Sequence, residues 1–304
     1  MDRRHAYALV AALLAAPACG ARADVPPASC ALGPPGADGG AAGEAGAVTP
    51  AAPDYWHDVK PILDARCATC HVPGGIAPFP LLTYPDASSS GLLIEAAVSS
   101  RKMPPWPPND CCQTYRHDRA LAQSEIDTLL RWIDADTPEG DPQGAPPSMP
   151  PPTPMLSRVD LTLRMPEAFT PVAQEGTSER RCFLIDGWPF DTDKFVTGVD
   201  ARPSNRAVVQ GVTVQTVGAA DVPGLRAREG LDGRPGFDCS DVGDDILLGG
   251  GLGTWTPGQP PFESADATAG VPVPAHAQLM LQVLYDLANA TTMPDQTEID
   301  YRPR

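Results

Sequence analysis

The spacing of apolar and polar residues divides the chain into a helical part and a strand part. Tyr55, Val59, Ile62 and Leu63 fall at i, i+4, i+7 and i+8, one face of a helix. Pro61 interrupts that face, so the regular helix either starts near Lys60 or kinks there. Residues 91–100 predict a second short helix. A third is the clearest. Ser124 stands as its N-cap, Asp127 at the capping-box position, and Ile126, Leu129, Leu130 and Ile133 share one face, with Trp132 adding apolar bulk. Thr137-Pro138 and Glu139-Gly140 stop it. Beyond residue 157 the period becomes two. Val159, Leu161, Leu163 and Met165 alternate with Asp160, Thr162 and Arg164, the pattern of a half-buried strand. Further strands are expected at 181–186, 194–199, 207–217 and 278–286, separated by Gly, Pro and Asp. Short strands with turn signals between them predict a β-sandwich of jelly-roll type.

The stretches between these regions set the domain plan. Residues 1–23 read as an export signal: Arg3 and Arg4, an apolar run from Ala6 to Ala16, then small residues. The run is too short to span a bilayer. Pro17-Ala18-Cys19-Gly20 resembles a bacterial lipoprotein box, which would place a lipid on Cys19, although Ala16 sits where a larger aliphatic residue is usual. Cleavage after Ala18 or Ala23 without lipid is the other reading. Residues 24–53, rich in Ala, Gly and Pro, predict a flexible tether. Residues 54–137 form a small helical domain, 138–157 a Pro-rich linker expected to act as an extended spacer, and 158–304 the β-domain. The formal net charge of −16 disfavours nucleic acid and anionic membranes and favours basic partners.

Candidate chemistry centres on Cys67-Ala68-Thr69-Cys70-His71. This is C-x-x-C-H, the attachment sequence of a c-type haem: two thiols for two thioethers, and an adjoining His as proximal iron ligand. A zinc site would need a second pair at matching spacing, and Cys111-Cys112 are adjacent. One haem gives the small domain much of the apolar area that so short a chain lacks. Such haem is attached outside the bacterial cytoplasm, which agrees with export to the periplasm or outer membrane. Met103, in Arg101-Lys102-Met103-Pro104-Pro105-Trp106, is the expected distal ligand, a soft thioether in a proline-stiffened loop, with Trp106 placed to pack on the porphyrin. His117 and His57 are the competitors. Of the eight cysteines, Cys182 and Cys239 are expected to pair inside the second domain. Cys30 is expected unpaired, and a bridge between Cys111 and Cys112 would be strained. Asp241 with Asp244-Asp245 reads as loop solvation, with a calcium site the lesser reading.

The run Val59-Lys60-Pro61-Ile62-Leu63, Arg66 through His71, Met103-Pro104-Pro105-Trp106 and Leu130-Arg131-Trp132-Ile133-Asp134 resembles the mono-haem cytochrome c domain of exported bacterial proteins. That implies an all-α class I cytochrome c fold over residues 54–140. Residues 158–304 resemble the first domain of the copper type II, ascorbate-dependent monooxygenases (peptidylglycine α-hydroxylating and dopamine β-monooxygenase). The pieces are Arg181-Cys182-Phe183, Thr197-Gly198-Val199, Val208-Val209 through Val212, Gly236-Phe237-Asp238-Cys239, Trp255-Thr256-Pro257-Gly258, and Gln282-Val283 followed by Tyr285. The resemblance assigns three copper histidines to the positions of Gln210, Gly211 and Leu284, none of which is a histidine. Copper is therefore not expected, and His276 is the one histidine beyond residue 157. Gln210, Gln278 and Gln282 are read as solvated strand residues. The expected function is an exported electron carrier with one haem c, working with a redox partner protein. The alternative is a haem and copper monooxygenase-like oxidoreductase whose copper centre comes from a partner chain.

Overall fold

The computed structural model describes residues 51–106, 115, 118–150, 154–172, 178–240, 251–266, 268–288 and 293–304. Chain order is a π-helical turn Tyr55–Val59, then α1 (Lys60–Arg66), α2 (Tyr84–Ser89), α3 (Gly91–Ser99) and α4 (Gln123–Asp134). The strand part follows with β1 (Leu161–Arg164), β2 (Ser178–Ile185), β3 (Lys194–Arg202), β4 (Val209–Val217), α5 (Val222–Arg226), β5 (Phe237–Asp238) and β6 (Gly251–Trp255). It ends with β7 (Phe262–Glu263), β8 (Val271–Val273), β9 (Gln278–Asp286) and β10 (Glu298–Pro303).

Pro61 begins the regular helix. It sits in the first turn of α1, where a missing N–H costs nothing, and a wider π turn precedes it. Thr83 caps α2 by a reciprocal pair with Asp86, a signal the sequence reading passed over. The expected cap of α4 is corrected. The helix starts at Gln123, one residue before Ser124, and Glu125 accepts from the Ala122 N–H at 2.7 Å. Ala122 has no side-chain acceptor to return the bond, so only half of a capping box forms. Asp127 instead accepts from Gln123 at 2.8 Å. Ile126, Leu129 and Trp132 are buried with Tyr55, Val59, Leu63 and Leu81, and the tyrosine and tryptophan rings lie 6.4 Å apart.

The linker is also corrected. Its first residues fold back on the helical part: Tyr55 N–H donates to Pro138 O at 3.0 Å, Trp132 Nε1 to the same carbonyl at 3.0 Å, and Ser148 Oγ to Asp64 at 2.6 Å. Lys60 completes that buried carboxylate's partners at 2.6 Å. At the other end Leu156 is buried and a Cβ on Gly198 would press into it. Backbone groups that an extended spacer leaves to water are here satisfied by protein.

The strands form two antiparallel sheets, β1-β10-β3 with β7 and β8 alongside β3, and β5-β2-β9-β4-β6. Their facing residues build one core, with Leu163, Val196, Val199, Ile299 and Tyr301 from one sheet and Phe183, Ile185, Val212, Leu281 and Tyr285 from the other. β9 falls on its expected limits. β2 and β3 run longer than expected, and β4 starts at Val209 rather than residue 207. β10, a strand in the middle of its sheet, has no counterpart in the pattern reading, nor do β5 to β8. The Cys182–Cys239 disulfide forms as expected, tying β2 to the end of β5. Cys19, Cys30, Cys111, Cys112, His117, Asp241, Asp244 and Asp245 lie outside the described residues.

Candidate functional site

Cys67, Cys70 and His71 share one compact turn at the end of α1. The Leu63 carbonyl accepts from both Cys67 N–H and Ala68 N–H at 2.9 Å. The Cys67 carbonyl then accepts from Cys70 N–H at 3.1 Å and His71 N–H at 3.0 Å. Ala68 is buried, and that anchors the turn while the two thiols stay free and half-buried. Burial, with Cys70 close by, pushes the Cys67 thiol up to about 12, so it is held as thiol rather than thiolate.

His71 is oriented by a backbone group. Its Nδ1 lies 2.9 Å from the Phe79 carbonyl, which can only accept, so Nδ1 carries the proton and Nε2 keeps its lone pair. Burial also lowers the affinity of the ring for a second proton, and the Phe79 bond opposes that in part. The Leu81 N–H donates to His71 O at 3.0 Å and the Phe79 ring packs 5.1 Å from the imidazole, so residues 79–81 clasp His71 on two sides. The result is two sulfurs and one neutral imidazole nitrogen within five residues.

Arg66, next to the motif, pairs with Glu125 at 3.1 Å and reaches the Asp118 carbonyl at 3.5 Å, joining α1 to the start of α4. Met103 follows α3 with its N–H on the Ala97 carbonyl at 3.2 Å, and 44% of its surface is exposed. It stands outside the helical core. Arg101 ties the same loop to Gln123 at 2.6 Å. Trp106 is half-buried, with its N–H on the Pro104 carbonyl. His57 is engaged by Asp54 at 3.1 Å.

In the second part, the three positions that the resemblance assigns to copper come together. Val209 pairs with Tyr285 and Gly211 with Leu284, with Gln210 in the bulge between. What they bring is an exposed amide, a hydrogen atom and an isobutyl group. Gln278 donates to the Ile185 carbonyl at 2.8 Å and accepts from Arg226 at 3.1 Å, and Gln282 approaches Cys239 Sγ at 3.9 Å. Gln278 and Gln282 thus turn to different partners. His276 is exposed, 3.5 Å from Asp191.

Sequence reasoning missed Phe79, because a backbone carbonyl does the orienting and imposes no residue type. It also missed Arg181, whose side chain is fully buried although its position alternates like any strand residue. No protein-family model matches this chain, and no curated protein does.

Proposed function

We propose that this chain is an exported electron carrier that binds one haem c covalently through Cys67 and Cys70, with His71 as proximal ligand and Met103 as distal ligand. In this reading residues 54–137 are an all-α class I cytochrome c domain, and residues 158–304 a jelly-roll-type sandwich without a copper centre. The observation that carries it is the bond from His71 Nδ1 to the Phe79 carbonyl, which leaves Nε2 as the donor a haem iron needs. Haem held there supplies a one-electron couple. The chain's own residues do the rest. The turn after α1 presents both sulfurs, residues 79–81 fix the imidazole, and Met103 offers an exposed, flexible thioether as the second donor.

The test is the visible spectrum and reduction potential of Met103→Ala, secreted from a host competent for haem ligation. A lowered potential or a sixth position open to added imidazole is expected. An unchanged spectrum removes Met103 as ligand. Metal analysis of the wild type is expected to give one iron per chain, and stoichiometric copper would favour the oxidoreductase alternative.

A further inference from the structure

β1 is an open sheet edge whose free backbone groups complement a second copy of themselves. In its sheet β1 pairs with β10 alone, Leu161 opposite Tyr301 and Leu163 opposite Ile299. Just past the strand, Met165 N–H donates to Thr297 O at 3.0 Å. By the two-residue alternation Leu161 and Leu163 also turn their N–H and C=O toward β10, while Thr162 and Arg164 turn theirs away. No backbone bond among the described residues reaches those outward groups. Thr162 and Arg164 are both exposed, and Val159 just before the strand is 46% exposed, so the edge faces solvent.

The free run has sharp ends. Upstream, the Asp160 N–H turns inward onto Tyr301 O at 3.0 Å. Downstream, Pro166 has no N–H to offer. Between those ends stand two outward donors and two outward acceptors.

An unpaired edge is a template for another chain, and the positions of its groups decide which chain fits. Antiparallel pairing with a second copy, on a two-fold axis at Leu163, sets Thr162 opposite Arg164 of that copy and Arg164 opposite its Thr162. Every outward N–H then meets an outward C=O, with none left over. A register centred on Thr162 would leave the Arg164 carbonyls unpaired, because the Asp160 N–H is spent on Tyr301.

Side chains agree with the same register. Leu163 meets Leu163 of the second copy, and the half-buried Leu161 meets its Met165. On the outer face Asp160 comes diagonally within reach of the second copy's Arg164. Charge permits the approach. The chain carries a net −16, yet at this edge Arg158 pairs with Asp160 at 2.8 Å and Arg164 pairs with Glu298. Two acidic copies can meet here without acid facing acid.

We propose that β1 pairs antiparallel with β1 of a second copy of this chain, joining two sheets into one across a two-fold axis at Leu163. An isologous contact of this kind closes at two copies. It is independent of the haem.

The test is sedimentation equilibrium of the whole secreted protein from about 10 μM to about 1 mM, a range suited to a small interface. Cys19→Ser keeps any lipid from driving association. The average mass is expected to climb toward two chains. Thr162→Pro removes an outward N–H that the fold does not use, and should hold the protein monomeric throughout. Thr162→Val loses only the hydroxyl bond to Asp300 and should dimerise like the wild type. Hydrogen exchange on the wild type needs no variant: the Thr162 and Arg164 amides should gain protection as concentration rises, and Leu163, already bonded to β10, should not. A wild type that stays monomeric at the highest concentration would overturn the proposal. So would a dimer in which the Thr162 and Arg164 amides gain no protection, and growth beyond two copies would overturn the two-fold pairing.

Discussion

The two parts of the chain differ in what completes them. The sandwich closes with its own side chains: two apolar faces meet, a disulfide ties the β2 edge, and a buried arginine is satisfied by a carboxylate and three carbonyls. The helical part leaves its chemistry open. It keeps two free thiols and an imidazole nitrogen on one turn. Leu92 and Leu93, neighbours on α3, are 78% and 59% exposed, and Met103 beyond them is half-exposed. The sandwich also exposes apolar side chains, such as Phe195 and Leu231, but on separate elements. In the helical part, then, unspent donors and uncovered apolar side chains occur together. A self-sufficient region shows satisfied polar groups around a closed core.

That contrast can be broken at either side. Replacing both Cys67 and Cys70 by Ala should abolish covalent haem, seen as loss of the haem-stained band after denaturing electrophoresis, while the sandwich keeps its own unfolding transition. Arg181→Ala should act on the other side. It orphans the carbonyls of the 234–236 loop and should lower sandwich stability by about 3 kcal/mol in denaturant titration, with haem content unchanged. It should also release Asp232, whose carboxyl the Arg181 hydrogen bond holds down at about 2.

Asp200→Asn is a finer probe. Burial, and Asp300 directly across the sheet, push the Asp200 carboxyl up to about 6, against the pull of Arg202 and Arg206. The folded state therefore holds a proton that the unfolded state gives up near pH 4. Stability contributed by the protonated form is present below about pH 4 and is lost as pH rises through about 6. The loss should be about 2 kcal/mol, and Asp200→Asn should flatten it, measured by denaturation at pH 4 and pH 7. The smallest effect is expected from Glu125→Ala, which removes the Ala122 N–H bond and the Arg66 pair and should cost the helical part about 1 kcal/mol in a thermal melt.

Much of the plan was legible before any coordinates. The near-continuous apolar run Leu279–Tyr285, broken only by Gln282 and bounded by Gln278 and Asp286, marked β9 to the residue, because a central strand buried on both faces reads as such a run. The Cys182–Cys239 pair was equally plain. β10 carries the same alternation as β1, Ile299 and Tyr301 between Glu298, Asp300 and Arg302, but with only two apolar positions to show it. The charges between them are paired across the outer face, Asp300 with Arg202 at 2.8 Å and Arg302 with Glu263, and only the register explains them. The cap of α4 was misplaced by one residue because Ser124 looks like a cap, whereas the bond that forms needs only a glutamate three residues into the helix. The linker's proline content predicted extension, yet the carbonyl of Pro138 is what Tyr55 and Trp132 require, and no composition rule reads an acceptor's position.

The central claim is that the turn after α1 carries one covalently bound porphyrin. The direct measurement is the intact mass of the secreted chain, denatured, from a host able to ligate haem. The account predicts the mature polypeptide plus one haem, with the added mass residing on the peptide that contains residues 67–71. A colourless product with the bare polypeptide mass would contradict it.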